Sequence, residues 1–242
     1  MKKKSNPKEK IRLNKYISQS GFCSRREADA FILKRKVKVN DILCNKLGSK
    51  INLNDLVTIN NILIKPEKNI YILLNKPKNY ITTNEDTRNR KIVFDLIKGV
   101  KERIFSVGRL DKNTTGVLLL TNDGDVAKKL THPSHKIKKI YKVTLNKKIS
   151  NYEISQIKNG LLIEDELIKV DNIERLEKKN EIGIEIHMGK NRIIRKIFES
   201  LNHRVLKLDR VLFGPFTKKY LPRGKWRVLN QNEIRNLKSF TN

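Results

Sequence analysis

The chain has 242 residues, of which 38% are hydrophobic, so it can hold one large domain or two modest ones with a proper core. Lysine and arginine number 54 against 25 acidic residues, and the net charge of +29 points to a polyanionic partner, with nucleic acid as the first candidate. The two cysteines form no C-x-x-C pair and the four histidines are scattered, which argues against a disulfide scaffold and against a metal site.

The chain begins with a lysine-rich segment, residues 1–10, that no apolar segment follows, so it does not resemble a secretory signal. We expect a disordered basic tail there. No stretch is apolar enough to span a membrane, and neither a long basic amphipathic helix nor a lipidation signal supports a membrane-surface protein. We therefore expect a cytoplasmic protein with reduced thiols and no membrane partner.

Residues 11–60 are typical of a small folded module. The spacing of Leu13, Tyr16 and Ile17 predicts a short helix that ends near Gly21. A second helix is predicted after Ser24, since Glu27 completes a capping box. A hairpin turn at residues 40–41 and a strand over residues 55–59 are predicted to follow.

The second helix of this module carries basic residues on its outward side, namely Arg25, Arg26, Lys34 and Arg35. Their arrangement suits RNA phosphates. A solvated helix face is the alternative interpretation, because runs of charge are usually wet surface.

Residues 61–69 are polar and contain Pro66, which predicts a linker to a larger domain over residues 70–242. Strands are predicted in that domain at residues 71–74, 104–107, 140–145, 168–170, 173–176 and 182–186, with a shorter candidate at Ile163. Helices are predicted at residues 126–130, 152–158 and 191–201, and strands and turns over residues 208–228.

Asp111 lies on a turn between Gly108 and Gly116, flanked by Arg109 and followed by the apolar run 117–120. The glycines indicate a sharp backbone path, and the apolar run indicates a buried element behind it. An acid held on such a turn among cations is suited to act as a nucleophile or a base. An ordinary turn with a surface aspartate is the alternative.

Two further side chains could join Asp111 in one site. Tyr141 lies on a predicted strand after a basic run, and Arg195 lies on the basic helix after residues 189–191. An acid, an aromatic ring and an arginine suit a flipped nucleotide, because the ring can stack on the base and the arginine can orient the carboxylate. Taken singly, Tyr141 could equally be core and Arg195 a surface cation.

Five segments of the chain, taken together, resemble the motifs of one family. The Asp111 segment, continued through residues 118–124, resembles the catalytic signature of pseudouridine synthases, in the branch that modifies ribosomal RNA (the RsuA/RluB type). Lys76-Pro77 resembles the first motif of that family, residues 139–141 its tyrosine motif and residues 189–196 its basic third motif. Residues 11–60 resemble the S-four-type (alpha-L) RNA-binding domain that members of this branch carry at the N-terminus.

The resemblance implies an α+β fold: an alpha-L domain followed by a catalytic domain with a long, mainly antiparallel sheet flanked by helices. It implies isomerisation of a uridine inside RNA to pseudouridine, without cofactor or metal. Asp111 would be the nucleophile or a base acting at the ribose, Tyr141 would stack on the uracil, and Arg195 would pair with Asp111 and favour its ionised form.

The implied partner is ribosomal RNA or a pre-ribosomal particle, bound by a monomer. Within the larger domain, the basic residues expected to contact RNA are Lys76, Arg109, Lys190 and Arg192. Residues 208–215 and 221–227 resemble the large-subunit enzymes more than the small-subunit ones. The alternatives are a small-subunit synthase, a synthase acting on transfer RNA or on many RNAs, and a non-catalytic ribosome-assembly protein.

The chain departs from the family pattern at two positions. Asn79 stands where the first motif usually has glycine, and Ile193 stands where the third motif often has Gln or Glu. Asparagine is the next-best residue for a left-handed turn, so we expect the backbone path to be kept. Ile193 removes a polar contact near the site but leaves Arg195 in place.

Overall fold

The computed structural model describes residues 10–240, which form two compact units. The first ends at Ile70 and also includes Lys101–Arg103; the second comprises Tyr71–Val100 and the chain from Ile104 onward. The expected basic tail falls on residues 1–9, which lie outside the described residues, and on Lys10, which begins a strand instead.

The first unit contains two helices and six short strands. In chain order they are β1 (Lys10–Arg12), α1 (Leu13–Gln19), α2 (Arg25–Leu33), β2 (Val37–Val39), β3 (Ile42–Cys44), β4 (Lys50–Asn52), β5 (Val57–Ile59) and β6 (Ile62–Ile64). The predicted capping box of α2 is present: the backbone N–H of Glu27 donates to Ser24 Oγ, and the backbone N–H of Ser24 donates to Glu27 Oε2. Asn40 and Asp41 both have positive φ, as the predicted two-residue hairpin turn requires.

The linker predicted over residues 61–69 begins only after β6. Asn60 and Asn61, with φ of 50° and 64°, form a second tight turn, and Ile62–Ile64 pairs with β5. Asparagine tolerates the left-handed region, so this polar pair joins two strands rather than ending the module.

The second unit is built on a nine-stranded sheet in the order β13-β14-β10-β15-β9-β7-β17, with β8 on β9 and β16 on β15. The strands are β7 (Tyr71–Lys76), β8 (Phe105–Ser106), β9 (Thr114–Thr121), β10 (Lys139–Leu145), β13 (Asn172–Arg175), β14 (Glu181–Ile186), β15 (Val205–Phe213), β16 (Phe216–Thr217) and β17 (Trp226–Val228), while β11 (Leu161–Ile163) and β12 (Glu166–Ile168) form a separate hairpin. Among the strands that the structure describes, only β9 and β15 pair in parallel, so the expected mainly antiparallel α+β fold is confirmed.

In the described part of the second unit there are four α-helices: α3 (Gly124–Thr131), α4 (Asn151–Asn159), α5 (Ile193–Glu199) and α6 (Gln231–Phe240). α5 is shorter than the predicted helix over residues 191–201, because Arg192 has a left-handed φ of 50°. α6 was not predicted; its buried Leu237 completes a core with Leu119 and Phe213. No helix among residues 10–240 is both long and apolar enough to cross a membrane.

The strand β15 lies between β9 and β10, although these two are closer to each other in sequence. Gly116 of β9 allows this approach: it has a φ of 111°, and a Cβ there would lie 2.1 Å from the backbone oxygen of Arg210. The parallel pairing therefore places the strand after Asp111 beside the partner strand of Tyr141.

Candidate active site

A cavity of about 660 Å³ opens in the second unit, and it brings together segments that are far apart in sequence. The turn before β9 supplies Asp111, β10 supplies Tyr141 and β15 supplies Arg210. The segment before α5 closes another side with Lys190 and Arg192. The predicted meeting of Asp111 and Tyr141 at one site is therefore present.

The side chain of Asp111 lines this cavity and is exposed. The turn is closed by a 3.0 Å hydrogen bond from the backbone N–H of Thr114 to the carbonyl oxygen of Asp111. The carboxylate is exposed and makes no hydrogen bond or ion pair with any residue between 10 and 240. It is therefore free to approach a substrate.

Lys76 binds the backbone of the turn that carries Asp111. Its side chain is fully buried, and its ammonium Nζ donates to the carbonyl oxygens of Asp111 at 3.0 Å, Thr114 at 2.8 Å and Pro77 at 3.1 Å. Burial lowers the pKa of Lys76 from 10.5 to about 8, although the charge of Asp111 acts in the opposite direction. The expectation that Lys76 contacts RNA is wrong, because the buried ammonium already serves backbone carbonyls; it positions the Asp111 turn instead.

Asn79 keeps the backbone path expected of the usual glycine. Its φ is 69°, in the left-handed region. Its backbone N–H donates to the carbonyl oxygen of Lys112 at 2.9 Å, which adds a second tie between the first motif and the Asp111 turn. The prediction that asparagine preserves this turn is confirmed.

Tyr141 lies on the floor of the cavity. It is 8% exposed and pairs across the sheet with Ile184 on one side and Arg210 on the other. Leu208 and Phe213 of β15 also line the cavity, so the aromatic ring is set among apolar side chains. Such a floor suits a planar base that has left its stack.

Arg195 does not form the expected ion pair with Asp111. Its guanidinium is mostly buried and donates from Nη1 to the carbonyl oxygen of Val205 at 3.0 Å. Burial lowers the pKa of Arg195, the charge of Arg192 lowers it further, and the charge of Asp111 raises it. Arg195 is thus within electrostatic range of Asp111, but its Nη1 donates to β15, its buried Nε has no hydrogen-bond partner, and its side chain does not line the cavity.

Arg210 is a cavity residue that the sequence analysis missed. It is 2% exposed, its Nε donates to the carbonyl oxygen of Val117 at 2.8 Å, and its guanidinium carbon lies 4.5 Å from the ring centroid of Phe213. Its Nη2 is buried without a hydrogen-bond partner. An unpaired buried donor is costly, so this atom is a candidate to bind a substrate oxygen. The sequence did contain a signal for Arg210, because a charged residue stands in the middle of the otherwise strand-like run 205–213.

Lys139 adds a half-buried cation at the cavity. Its Nζ donates to the carbonyl oxygens of Ile137, at 3.1 Å, and of His187. Burial lowers its pKa from 10.5 to about 8, and the charge of Arg210 lowers it further against the opposing charge of Asp171. The walls around Asp111 are therefore electropositive.

The remaining predicted RNA-binding residues lie on surfaces. Arg109, Lys190 and Arg192 are exposed at the cavity, where Lys190 pairs with Glu166 and Arg192 lies 3.8 Å from Glu199. On the first unit, Arg25, Arg26, Lys34 and Arg35 are all exposed.

Ile193 is buried and lines the cavity. Among residues 10–240, no three His, Cys, Asp or Glu side chains are placed to share a metal ion.

Comparison with known proteins identifies the class. The RNA pseudouridylate synthase family matches residues 70–200, and the S4 domain matches residues 11–67. An uncharacterized RNA pseudouridine synthase of Aquifex aeolicus is 39% identical over 94% of this chain and 93% of its own length. A crystal structure of a pseudouridylate synthase superposes with a TM-score of 0.68, at 27% identity, over 94% of this chain and 99% of that one.

Two further relatives are similar over 94% of this chain. Ribosomal large subunit pseudouridine synthase B of Bacillus subtilis is 34% identical and covered over 96% of its length. The dual-specificity RNA pseudouridine synthase RluF of Escherichia coli is 36% identical and covered over 78%. The chain belongs to the RNA pseudouridine synthase family, with an N-terminal S4 domain, and is an isomerase that acts on uridine in RNA.

Proposed function

We propose that this protein converts one or a few uridines of large-subunit ribosomal RNA to pseudouridine, with Asp111 as the nucleophile. The observation that carries the catalytic assignment is the exposed Asp111 carboxylate, which has no partner among residues 10–240 and faces the same cavity as Tyr141. A carboxylate left unpaired among buried cations is available for bond formation with an electrophilic carbon.

The proposed reaction conserves all atoms of the nucleotide. An oxygen of Asp111 forms a bond to C1′ of the ribose as the bond from C1′ to N1 breaks, and the electron pair of that bond leaves with the uracil. The uracil rotates, C5 forms a bond to C1′, and the carboxylate leaves. A base then takes the proton from C5, and N1 takes up a proton.

Tyr141 and Arg210 act on the uracil in this proposal. Tyr141 stacks on the detached base, and its phenolic oxygen takes part in removing the C5 proton. The unpartnered Nη2 of Arg210 donates to a uracil carbonyl oxygen and stabilises the negative charge that develops there. Both side chains lie on adjacent paired strands, so they are held rigidly relative to each other.

The large-subunit target is supported by the similarity to the Bacillus subtilis enzyme over nearly the whole of both chains. The comparable similarity to a dual-specificity enzyme makes a second RNA target the alternative. In either case the S4 domain and the exposed basic side chains of α2 would supply binding energy through phosphate contacts. We further propose a cytoplasmic monomer that acts on ribosomal RNA or a pre-ribosomal particle.

The test is pseudouridine mapping of ribosomal RNA treated with the wild type, Asp111→Asn or Asp165→Asn. Asp165 is a matched control, since it is an exposed acid on a turn outside the cavity. We expect Asp111→Asn to lose every site that the wild type produces and to keep RNA affinity. Pseudouridine formation by Asp111→Asn would overturn the catalytic assignment, and sites confined to another RNA would overturn the large-subunit target.

A second measurement separates the nucleophile from a base acting at the ribose. Removal of the C2′ proton by Asp111 would break a bond to hydrogen, whereas attack on C1′ would not. Deuterium at C2′ should therefore leave the single-turnover rate unchanged. A primary isotope effect would assign Asp111 as the base.

A further inference from the structure

The loop between β16 and β17, residues 218–225, carries an aromatic side chain in an unusual conformation. Tyr220 is 91% exposed and has a φ of 59°. A bulky side chain in the left-handed region is strained, and such strain persists where the surrounding structure imposes it, often at functional positions. The ring makes no hydrogen bond with residues 10–240; its contact is with Lys219, whose Nζ lies 5.0 Å from the ring centroid.

Hydrogen bonds to Asn75 fix this loop on the C-terminal side of Tyr220. The carbonyl oxygen of Leu221 accepts from Asn75 Nδ2 at 2.7 Å, and the backbone N–H of Gly224 donates to the carbonyl oxygen of Asn75 at 2.8 Å. Leu221 itself is buried. The loop therefore presents the ring from a rigid base, so ordering it on a ligand costs little entropy.

The same loop is tied to the framework of the active site. Arg223 Nη1 lies 2.8 Å from Asp209 Oδ1 and 3.4 Å from the carbonyl oxygen of Lys76, the residue that holds the Asp111 turn. Asp209 also accepts from Thr115 Oγ1 at 2.6 Å, and it directly precedes Arg210. The loop is therefore anchored to β7 and β15, the strands that carry Lys76 and Arg210.

The charges of the loop fit a polyanion. Four of its eight residues are cations and none is acidic. Lys218 and Arg223 both pair with Asp209, which offsets only one of their two charges, and Lys219 and Lys225 make no ion pair within the described chain. One unpaired ammonium group, that of Lys219, thus lies beside the exposed ring, and a second, that of Lys225, belongs to the same loop.

We propose that Tyr220 is a stacking platform for an unpaired base beside the target uridine, with Lys219 and Lys225 bound to the adjoining phosphates. This inference rests on the proposed function in that the ligand is the substrate RNA. A single exposed ring among cations suits a nucleotide, since every base has a face that can stack and a phosphate that can pair. A protein interface would need a wider apolar area around the ring.

The test compares Tyr220→Asn and Tyr220→Phe by fluorescence anisotropy on unmodified ribosomal RNA transcripts. Asparagine fits the left-handed backbone, so its effect is loss of the ring rather than strain. Tyr152→Asn is the matched control, because Tyr152 is 72% exposed on α4. We expect Tyr220→Asn to weaken binding about fivefold or more without changing the salt dependence, while Tyr220→Phe and Tyr152→Asn bind like the wild type.

The proposed phosphate contact of Lys219 is tested separately, by the salt dependence of RNA binding. Lys219→Gln should weaken binding and reduce the slope of log affinity against log salt by about one. A 2-aminopurine placed next to the target should be quenched by the wild type and Tyr220→Phe but not by Tyr220→Asn. Equal RNA affinities of Tyr220→Asn and Tyr152→Asn would overturn the proposal. It would also be overturned if Tyr220→Asn kept its RNA affinity but no longer bound a ribosomal protein that the wild type binds.

These outcomes are distinguishable from failure of the proposed reaction. If the mapping shows no pseudouridine but Tyr220→Asn still weakens RNA binding, the reaction is wrong and the platform stands. If pseudouridine forms and Tyr220→Asn binds and reacts like the wild type, the platform alone is wrong.

Discussion

The ammonium of Lys76 lies 3.0 Å from the carbonyl oxygen of Asp111, so a buried cation holds the backbone of the residue whose side chain faces the cavity. The same ammonium donates to the carbonyl oxygen of Thr114, three residues further along the turn. The Asp111 carboxylate is thereby positioned through its main chain, and its oxygens make no hydrogen bond within the described chain.

Replacing Lys76 should misplace this turn. We expect Lys76→Met to lower kcat by about 10-fold to 100-fold with little change in RNA affinity, because a small misplacement of a reacting group is costly. Lys78→Met is the control, since Lys78 is exposed two residues away. Single-turnover rates and anisotropy measure the two effects, and an unchanged rate for Lys76→Met would contradict the positioning role.

The buried ammonium should also shape stability against pH. The folded-state pKa of Lys76 is lowered by burial to about 8, whereas the unfolded chain keeps its proton up to about 10.5. Between these values the unfolded state binds more protons, so the free energy of unfolding rises with pH. We expect the wild type to gain roughly 2 kcal/mol relative to Lys76→Met between pH 7 and pH 9.5. Denaturant unfolding at both pH values measures this, and a constant difference would show that Lys76 is not desolvated.

Arg210 should affect the reaction more than binding. We expect Arg210→Lys to lower the single-turnover rate by about 10-fold or more. The guanidinium of Arg210 can donate from Nε to Val117 and from Nη2 to a uracil oxygen at the same time, whereas lysine lacks this planar set of donors. Arg204→Lys, at an exposed position, should react like the wild type. Thermal unfolding of Arg210→Lys checks that the sheet is intact, and a normal rate with a normal melting curve would remove Arg210 from the site.

Gly116 should not tolerate a side chain. A Cβ there would meet the backbone of Arg210 at 2.1 Å, and neither backbone can move without breaking the parallel pairing. We expect Gly116→Ala to destabilise the second unit by about 3 kcal/mol or more. Gly99→Ala is the control, because Gly99 also has a positive φ but no atom within 4 Å of the new Cβ. Similar unfolding curves for the two variants would contradict the close approach.

The local elements could be predicted from the sequence because their signals are local. The capping box of Ser24 and the buried run behind Asp111 each lie within a few residues, and the structure has both. The strand Ile62–Ile64 and the helix α6 were missed, since a three-residue strand after an Asn-Asn turn and a polar terminal helix have weak patterns.

The surroundings of Asp111 could be predicted only in part, because they depend on pairings between distant residues. Arg210 donates to Val117, 93 residues earlier in the chain, and no periodicity reports that contact. The same applies to Lys76, which looks like a surface cation in sequence but reaches carbonyls 35 and 38 residues away. The expected pair between Arg195 and Asp111 was wrong because the partner of Arg195, Val205, is fixed by packing of α5.

The place of β15 between β9 and β10 also sets the order in which the protein can become active during synthesis. Asp111 and Tyr141 emerge from the ribosome early, but the strand that joins their own strands runs only from Val205 to Phe213. Until that segment has been translated and released, the two halves of the sheet have no shared edge. A nascent chain that stops before Val205 therefore carries Asp111 and Tyr141 without the strand that joins their own strands and without Arg210 in the cavity wall.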